Sequence, residues 1–197
     1  MSEPRSTTHH IHEVFTQRWS PRSFTGEAID EKTLMSFFEA AHWAPSAHNS
    51  QPWRFIYALK GSPEWEPLFA PIFPQNQIWA QNASALVLFV AQTQWIPPLM
   101  DHEVPLPYHA LDVGAAAMCF SLQATMSGWD THPIAGFDKE SAHNLLGIPD
   151  LFAPLLLMAV GRRNPDISAL PKELQEREKP SSRIALNELV SKGLFQL

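Results

Sequence analysis

The chain has 197 residues and a mass of 22.2 kDa, and 45% of its residues are hydrophobic while 17% are charged. These proportions predict one ordered globular domain spanning residues 1–197, and they exclude a disordered chain. The formal net charge of −6 arises without any run of basic residues, which argues against nucleic acid as a partner.

The expected location follows from the cysteine count and from the apolar runs. The single cysteine, Cys119, excludes an internal disulfide and favours a reducing compartment. The N-terminal residues lack the pattern of a secretory signal, and polar residues or prolines interrupt the longest apolar runs. We therefore expect a cytoplasmic protein that does not bind a membrane.

Glycine is scarce in this chain. It has 8 glycines against 18 prolines, and no two glycines stand in a Gly-x-Gly spacing. Dinucleotide-binding turns and P-loops need glycines where the backbone meets phosphate, so both motifs are excluded. Any bound phosphate must therefore be held by side chains.

Two helices are predicted in the N-terminal part. Residues 7–17 carry apolar residues on one helical face, and Asp30 is suited to cap a second helix that runs to about His42. Three histidines of the first segment could suggest a metal, but no carboxylate or cysteine lies at a useful spacing. A solvated helix start is the preferred interpretation for His9, His10 and His12.

The middle of the chain predicts two strands and a long loop. Strands are expected at residues 53–59 and 85–91, the second buried on both faces, with a short helix near residues 64–69 between them. Residues 95–107 contain four prolines and are long for a loop. This segment is either a substrate lid or an irregular connector.

The C-terminal part predicts two helices and two strands. Residues 108–127 form a helix that is apolar nearly all round and rich in small residues, so it should be buried. A strand is expected at residues 129–134, a helix capped by Asp138 follows, and a buried strand covers residues 155–160. Alternating strands and helices predict an α/β (α+β) sandwich with helices on both faces of the sheet.

The last part of the chain predicts a solvated segment and then an apolar tail. The charged residues 172–179 are expected to lie in water. Leu194, Phe195 and Leu197 are large apolar residues at the end, so the tail is expected to pack on a neighbouring subunit.

Small polar residues crowd a loop between two prolines. Ser46, Asn49 and Gln51 lie between Pro45 and Pro52. The prolines pre-shape this loop, and its donors and acceptors suit a flat heteroaromatic ligand with hydrogen-bonding edges. The alternative is a connector whose polar groups satisfy only their own turn.

A second polar segment follows the first predicted helix. Arg18, Ser20 and Arg22 offer two guanidinium groups and a hydroxyl on a backbone stiffened by Pro21, which suits a phosphate. This Arg-x-Ser-x-Arg segment and the Pro-Ser-x-x-Asn-x-Gln-Pro-Trp segment at residues 45–53 together resemble the flavin-dependent nitroreductase family.

The resemblance implies a three-layer α-β-α sandwich around a mixed or antiparallel sheet, and FMN bound at a homodimer interface. The helix at residues 108–127 would be part of that interface, and a C-terminal tail at about residues 184–197 would pack on the partner subunit. One chain would supply residues for the phosphate, the pyrimidine edge and flavin N5: Arg18, Trp19, Ser20, Arg22, Asn76, Ile134, Ala135, Gly136 and Arg183. The other would contact the dimethylbenzene and ribityl parts through Pro45, Ser46, Ala47, Asn49 and Gln51.

The resemblance also implies an activity. It is that of an NAD(P)H oxidoreductase which reduces nitroaromatics, quinones or other small electron-poor acceptors by a ping-pong mechanism, with no metal and no catalytic side chain. Some family members have a lysine where this chain has Trp79, and a glutamate where it has Ala135. The alternatives are another reductive activity of the same fold (dehalogenase, enoate or aldehyde reductase), FMN storage without turnover, and a purely structural domain.

Overall fold

Four antiparallel strands form the central sheet of the protein, whose computed structural model describes residues 5–195. The strands in chain order are β1 (Trp53–Leu59), β2 (Ala85–Gln92), β3 (Gln94–Trp95), β4 (Val104–Pro105), β5 (Asp130–Ile134) and β6 (Phe152–Gly161). The sheet order is β1-β2-β6-β5, while β3 and β4 pair as a separate hairpin. Strands β1 and β5 are therefore the two edges of the sheet.

Helices cover both faces of this sheet. They are α1 (Val14–Gln17), α2 (Glu31–His42), α3 (Trp65–Phe69), α4 (Pro74–Ala80), α5 (His109–Met126), α6 (Lys139–Leu145) and α7 (Lys172–Gln175), with 3₁₀ turns at Ala47–Asn49 and Leu186–Glu188. Alternate residues of β2 enter two separate cores: Leu86 and Leu88 face α3, α4 and α6, whereas Val87 and Phe89 face α2 and α5. The three-layer sandwich predicted from the sequence is confirmed, and its sheet is antiparallel.

Both predicted N-caps are present. The Thr33 N–H donates to Oδ1 of Asp30 at 2.9 Å, and the Ser141 N–H donates to Oδ1 of Asp138 at 3.0 Å. Each cap satisfies a backbone donor that the first turn of its helix leaves free, a contribution of about 1 kcal/mol. The apolar face of α2 then buries Phe37 completely against the sheet.

Several predicted boundaries were wrong for physical reasons. The first helix covers Val14–Gln17 and not residues 7–17, because residues 6–13 are exposed and a short unpacked helix is unstable in water. Helix α4 was missed because it is short, and Pro74 opens it. The long loop contains the β3–β4 hairpin. Strand β6 begins at Phe152, with Pro154 at a register shift opposite β2.

The C-terminal segments differ in burial. The charged residues 172–179 are mostly exposed, but the side chain of Glu178 is only 2% exposed, so the prediction of a solvated segment was wrong for this residue. Residues 184–190 and 192–195 of the tail are nearly all exposed, including Leu194 and Phe195. Leu197 lies outside the described residues. Within residues 5–195 no helix combines the length and the apolar character needed to cross a membrane.

Candidate functional site

The segment that contains Arg18 and Arg22 lies against the β5 edge of the sheet. The imidazole Nδ1–H of His132, on β5, donates to the carbonyl of Pro21 at 2.9 Å. Beyond it, Phe24 pairs with Arg163, and the Thr25 N–H donates to the carbonyl of Arg162 at 2.9 Å. The backbone of this segment is thus fixed to β5 and to the chain that follows β6.

Arg18 lies in a strongly positive environment. Its Nη1 donates to Oγ of Ser20 at 3.4 Å. Burial lowers the pKa of Arg18, the charges of Arg5 and Arg183 lower that pKa further, and only the charge of Asp130 opposes them. Asp130 is itself 3.4 Å from Nη2 of Arg163, so its charge is shared. We refer to Arg5, Arg18 and Arg183 as the arginine cluster.

Arg22 has an acidic partner within the chain. Its Nη1 lies 3.8 Å from Oε2 of Glu178, and Oε1 of Glu178 accepts the backbone N–H groups of Arg22 at 2.7 Å and Ser23 at 2.9 Å. Burial lowers the pKa of Arg22, the charge of Arg177 adds to this, and Glu178 opposes it. Because its charge is balanced, Arg22 has less positive charge to offer an anion than the arginine cluster.

The half-buried His132 and the buried Trp79 form a ring pair beside these arginines. Their ring centroids are 4.3 Å apart, and Trp79 is 1% exposed. Burial lowers the pKa of His132 to about 4, and the charges of Arg22 and Arg18 act in the same direction, while its hydrogen bonds with Pro21 and Ser20 oppose the change. The imidazole is therefore neutral at pH 7. Its role in this geometry is to hold the Pro21 carbonyl.

A hydrogen bond joins Asn76 to Gly136. The Nδ2–H of Asn76 donates to the carbonyl of Gly136 at 3.1 Å, and that carbonyl also accepts the N–H of Phe73. A Cβ on Gly136 would stand 2.4 Å from Nδ2 of Asn76, so a larger residue at position 136 would displace the Asn76 amide from this hydrogen bond. Ile134 is buried in the core, which leaves its backbone, with that of Ala135, for any contact with a ligand.

The loop at residues 45–51 has an unusual backbone. His48, Asn49 and Gln51 have positive φ values of 54°, 53° and 46°. Residues other than glycine rarely adopt this left-handed region. Oγ of Ser46 accepts the Gln51 N–H at 3.0 Å, and a carboxylate oxygen of Asp112 accepts the Ala47 N–H at 3.2 Å. The loop is held in one shape at a cost of about 1–3 kcal/mol per strained residue, as often occurs at functional sites.

The structure brings the sequence-predicted residues together in two groups. At the β5 edge lie Arg18, Trp19, Ser20, Arg22, Asn76, Ile134, Ala135, Gly136 and Arg183. At the β1 edge lie Pro45, Ser46, Ala47, Asn49 and Gln51. The two edges are three strand spacings of about 4.8 Å apart, which is about 14 Å. Within one chain, the two sets of residues therefore cannot contact the same few atoms of a ligand.

An apolar cavity lies beside the β1-edge loop. Its volume is about 290 Å³, and it is lined by Ala47, His48, Trp95, Pro97, Met100, Val104, Pro105, Leu106, Pro107, Tyr108 and Asp112. The rings of His48 and Trp95 stack with their centroids 6.4 Å apart. Most of the long loop that was interpreted as either a lid or a connector therefore forms a wall of this cavity.

Four polar residues of the site were missed by sequence reasoning: Arg5, Asp112, His132 and Glu178. Each acts through a partner distant in sequence, and Glu178 contacts a residue 156 positions away. No local signal pointed to His132, because β5 has the sequence Asp-Thr-His-Pro-Ile and mixes polar with apolar residues. Trp19 is 7% exposed and its ring lies under the guanidinium of Arg163, so its backbone remains for any contact with a ligand.

The fold and the site together define the class of the protein. It is an α-β-α protein in which arginine side chains create a positively charged environment, and in which an apolar cavity lies near a polar loop. This combination suits a phosphorylated, planar cofactor with a small second substrate.

Comparison with known proteins gives the family. The sequence profile of the Nitroreductase family matches residues 15–162, so the chain belongs to the nitroreductase family and is an oxidoreductase. It is 27% identical over 188 residues to the Bacillus subtilis (strain 168) protein named "Putative NAD(P)H nitroreductase YdgI", covering 79% of this chain and 89% of that protein. A crystal structure described as an oxidoreductase containing FMN superposes with a TM-score of 0.94 at 37% identity, covering 100% of this chain and 98% of the other. The crystal structure of a nitroreductase family protein from Streptococcus pneumoniae TIGR4 superposes with a TM-score of 0.73 at 25% identity, covering 91% of this chain and 98% of the other.

Proposed function

We propose that the protein is an FMN-dependent NAD(P)H oxidoreductase that reduces nitroaromatics, quinones or other small electron-poor acceptors. The observation that carries this proposal is the arginine cluster, where the positive charges of Arg5, Arg18 and Arg183 meet with little acidic compensation. A phosphate monoester carries close to two negative charges at pH 7 and would supply the missing anion. The FMN-containing relative supports the choice of flavin.

The residues at the β5 edge fit the parts of FMN in a consistent order. Arg18, Ser20 and Arg183 would hold the phosphate, and Arg22 would lie nearby with its charge shared with Glu178. Asn76, which Gly136 holds through a hydrogen bond, would bond the pyrimidine edge, and the backbone of residues 134–136 would approach N5. Side chains thus replace the glycine turn that this sequence lacks.

When bound, FMN supplies the redox chemistry by accepting a hydride from NADH or NADPH and giving electrons to an acceptor. The protein binds and orients the reactants and limits the access of water. Because donor and acceptor would occupy the same site in turn, we expect ping-pong kinetics.

The apolar cavity is the proposed binding place of the acceptor ring. Trp95, Met100 and Tyr108 offer apolar and aromatic contact area for a flat molecule. Residues 95–112 contain Asp101, Glu103 and Asp112 but no lysine or arginine. We therefore expect neutral acceptors to be favoured over anionic ones of the same shape.

The purified protein is expected to be yellow with FMN and to bleach when NADH or NADPH is added without oxygen. The flavin should then be reoxidised faster by 4-nitrobenzyl alcohol than by 4-nitrobenzoate, which differs mainly by its negative charge. Stopped-flow absorbance measures both half-reactions. Yellow protein that never bleaches would support FMN storage instead, and protein that takes up no FMN would overturn the proposal.

We also propose that the active unit is a homodimer. Helix α5 leaves Leu111, Met118 and Met126 exposed by 71%, 41% and 59%. The tail at residues 184–197 exposes a series of large apolar side chains within its described part: Ile184, Leu186, Leu189, Val190, Leu194 and Phe195. A second copy would cover both surfaces, and it would bring a β1-edge loop to the β5-edge residues across the interface. The single cysteine suits the reducing cytoplasm, where we place the dimer.

Placing charges in the tail tests this arrangement. The double variant Leu189→Glu/Val190→Glu is expected to shift the protein from twice the 22.2 kDa chain mass toward a single chain and to weaken FMN binding at least tenfold, since each burial of an unpaired charge costs several kcal/mol. Light scattering and flavin fluorescence measure the two effects. Leu145→Glu, on the 55%-exposed side chain at the end of α6, is the matched control and should change neither. A fully FMN-loaded monomer would refute the shared site.

A further inference from the structure

Arg5 reaches from the start of the described chain to the end of α1. Its Nη1 donates to the carbonyl of Arg18 at 2.9 Å and to that of Thr16 at 3.3 Å. These carbonyls end the first helix, and arginines commonly cap such ends. This capping contact uses one of the three guanidinium nitrogens.

The other two nitrogens of Arg5 have no acceptor within residues 5–195. Nε and Nη2 are both buried, and neither has a hydrogen-bond partner among these described residues. A buried donor without an acceptor costs about 1–3 kcal/mol, more when it is charged, so such groups generally mark a ligand, an ion or a water. The unpartnered edge of Arg5 therefore indicates that an acceptor belongs there.

The charge around Arg5 indicates what kind of acceptor fits. Burial lowers the pKa of Arg5, and the nearby charge of Arg183 lowers it further. The acids whose charges act on Arg18 and Arg22 are already engaged, Asp130 with Arg163 and Glu178 with Arg22. Three guanidinium groups without their own acids fit a multiply charged, oxygen-rich anion.

We propose that Arg5 is a third phosphate-binding arginine, which donates through Nε and Nη2 to the phosphate monoester of FMN beside Arg18 and Arg183. The proposal rests on the proposed function for the identity of the flavin. Two terminal oxygens of a phosphate can accept a planar pair of N–H groups in parallel, the geometry that guanidinium favours. Arg5 then joins the N-terminal segment to the cofactor, in addition to capping α1.

The test compares Arg5→Gln with Arg162→Gln in the full chain. Arg162 is also an arginine that donates to a backbone carbonyl, that of Gly128 at 3.0 Å, but it is paired with Glu27 outside the arginine cluster. Titration by flavin fluorescence gives the Kd of each variant for FMN and for riboflavin, which lacks the phosphate, and scanning calorimetry gives the melting temperature of each flavin-free protein.

Arg5→Gln is expected to weaken FMN binding about tenfold or more, as for a lost charged hydrogen bond, with riboflavin binding and the flavin-free melting temperature close to the wild type. Arg162→Gln should leave the FMN Kd unchanged. The proposal is overturned if Arg5→Gln keeps wild-type FMN affinity, or if the variant loses FMN and riboflavin equally with a lower melting temperature, because Arg5 would then only cap the helix. If the wild-type protein itself does not bind FMN, the proposed function is refuted as well. If only the Arg5 proposal is wrong, the wild-type protein still binds FMN.

Discussion

Arg18→Ala is expected to weaken FMN binding by about 10- to 100-fold, the equivalent of roughly 1.5–3 kcal/mol for a hydrogen bond between charged groups. Arg18 is part of the arginine cluster, and no acid of its own balances it. Arg22→Ala should weaken FMN binding less, because the charge of Arg22 is already shared with Glu178 at 3.8 Å. The two arginines are thus equivalent in the sequence motif but not in the folded protein.

Isothermal titration of the flavin-free proteins measures this difference. Riboflavin serves as the internal control, because the loss for Arg18→Ala should be confined to the phosphorylated ligand. Arg163→Ala would be a poor reference, since Arg163 pairs with Asp130, whose charge acts on Arg18. Arg162→Ala is the better reference, because Arg162 pairs with Glu27 outside the arginine cluster. Equal losses for Arg18→Ala and Arg22→Ala would mean that Glu178 releases Arg22 when the cofactor binds.

The elements whose signals are local could be predicted from the sequence. Strand β2 is an unbroken apolar run, and the structure buries it on both faces. Asp30 and Asp138 cap their helices as predicted, because a capping side chain acts on the backbone only three residues ahead. The two polar segments could also be recognised from the sequence, since each concentrates its polar groups within a few positions, and their roles in binding stay a prediction.

The interactions that could not be predicted depend on distant parts of the chain. Glu178 is one of several charged residues in its segment, and nothing local distinguishes it from exposed neighbours such as Glu176. Its burial follows from the path of the chain, which returns residues 177–179 to the segment at residues 22–23. Arg5 and His132 are similar cases, since the fold brings them to the carbonyls of Arg18 and Pro21. The resemblance already divided the predicted site into two groups, but their separation by the width of the sheet required the strand order.

Glu178 is expected to be the residue whose loss most destabilises the fold around the site. Its Oε1 accepts two backbone N–H groups, those of Arg22 and Ser23, at 2.7 and 2.9 Å. In Glu178→Ala both N–H donors lose their acceptor, at a cost of about 1–3 kcal/mol each, and the guanidinium of Arg22 loses its ion-pair partner. We expect the free energy of unfolding to fall by about 3 kcal/mol, and the melting temperature of a chain of this size by roughly 10 °C.

Glu178→Gln separates the role of the oxygen atom from that of the charge. The amide oxygen can still accept both N–H groups, so this variant should lose less than half as much stability as Glu178→Ala, while the charge of Arg22 becomes unbalanced. Glu176→Ala, at an exposed glutamate two positions earlier, is the matched control and should change the melting temperature by no more than about 1 °C. Calorimetry of the flavin-free proteins at one fixed concentration gives the comparison, because oligomerisation makes melting temperatures depend on concentration. If Glu178→Ala melts like Glu176→Ala, the C-terminal segment does not fasten residues 22–23, and the balanced charge assigned to Arg22 must be abandoned as well.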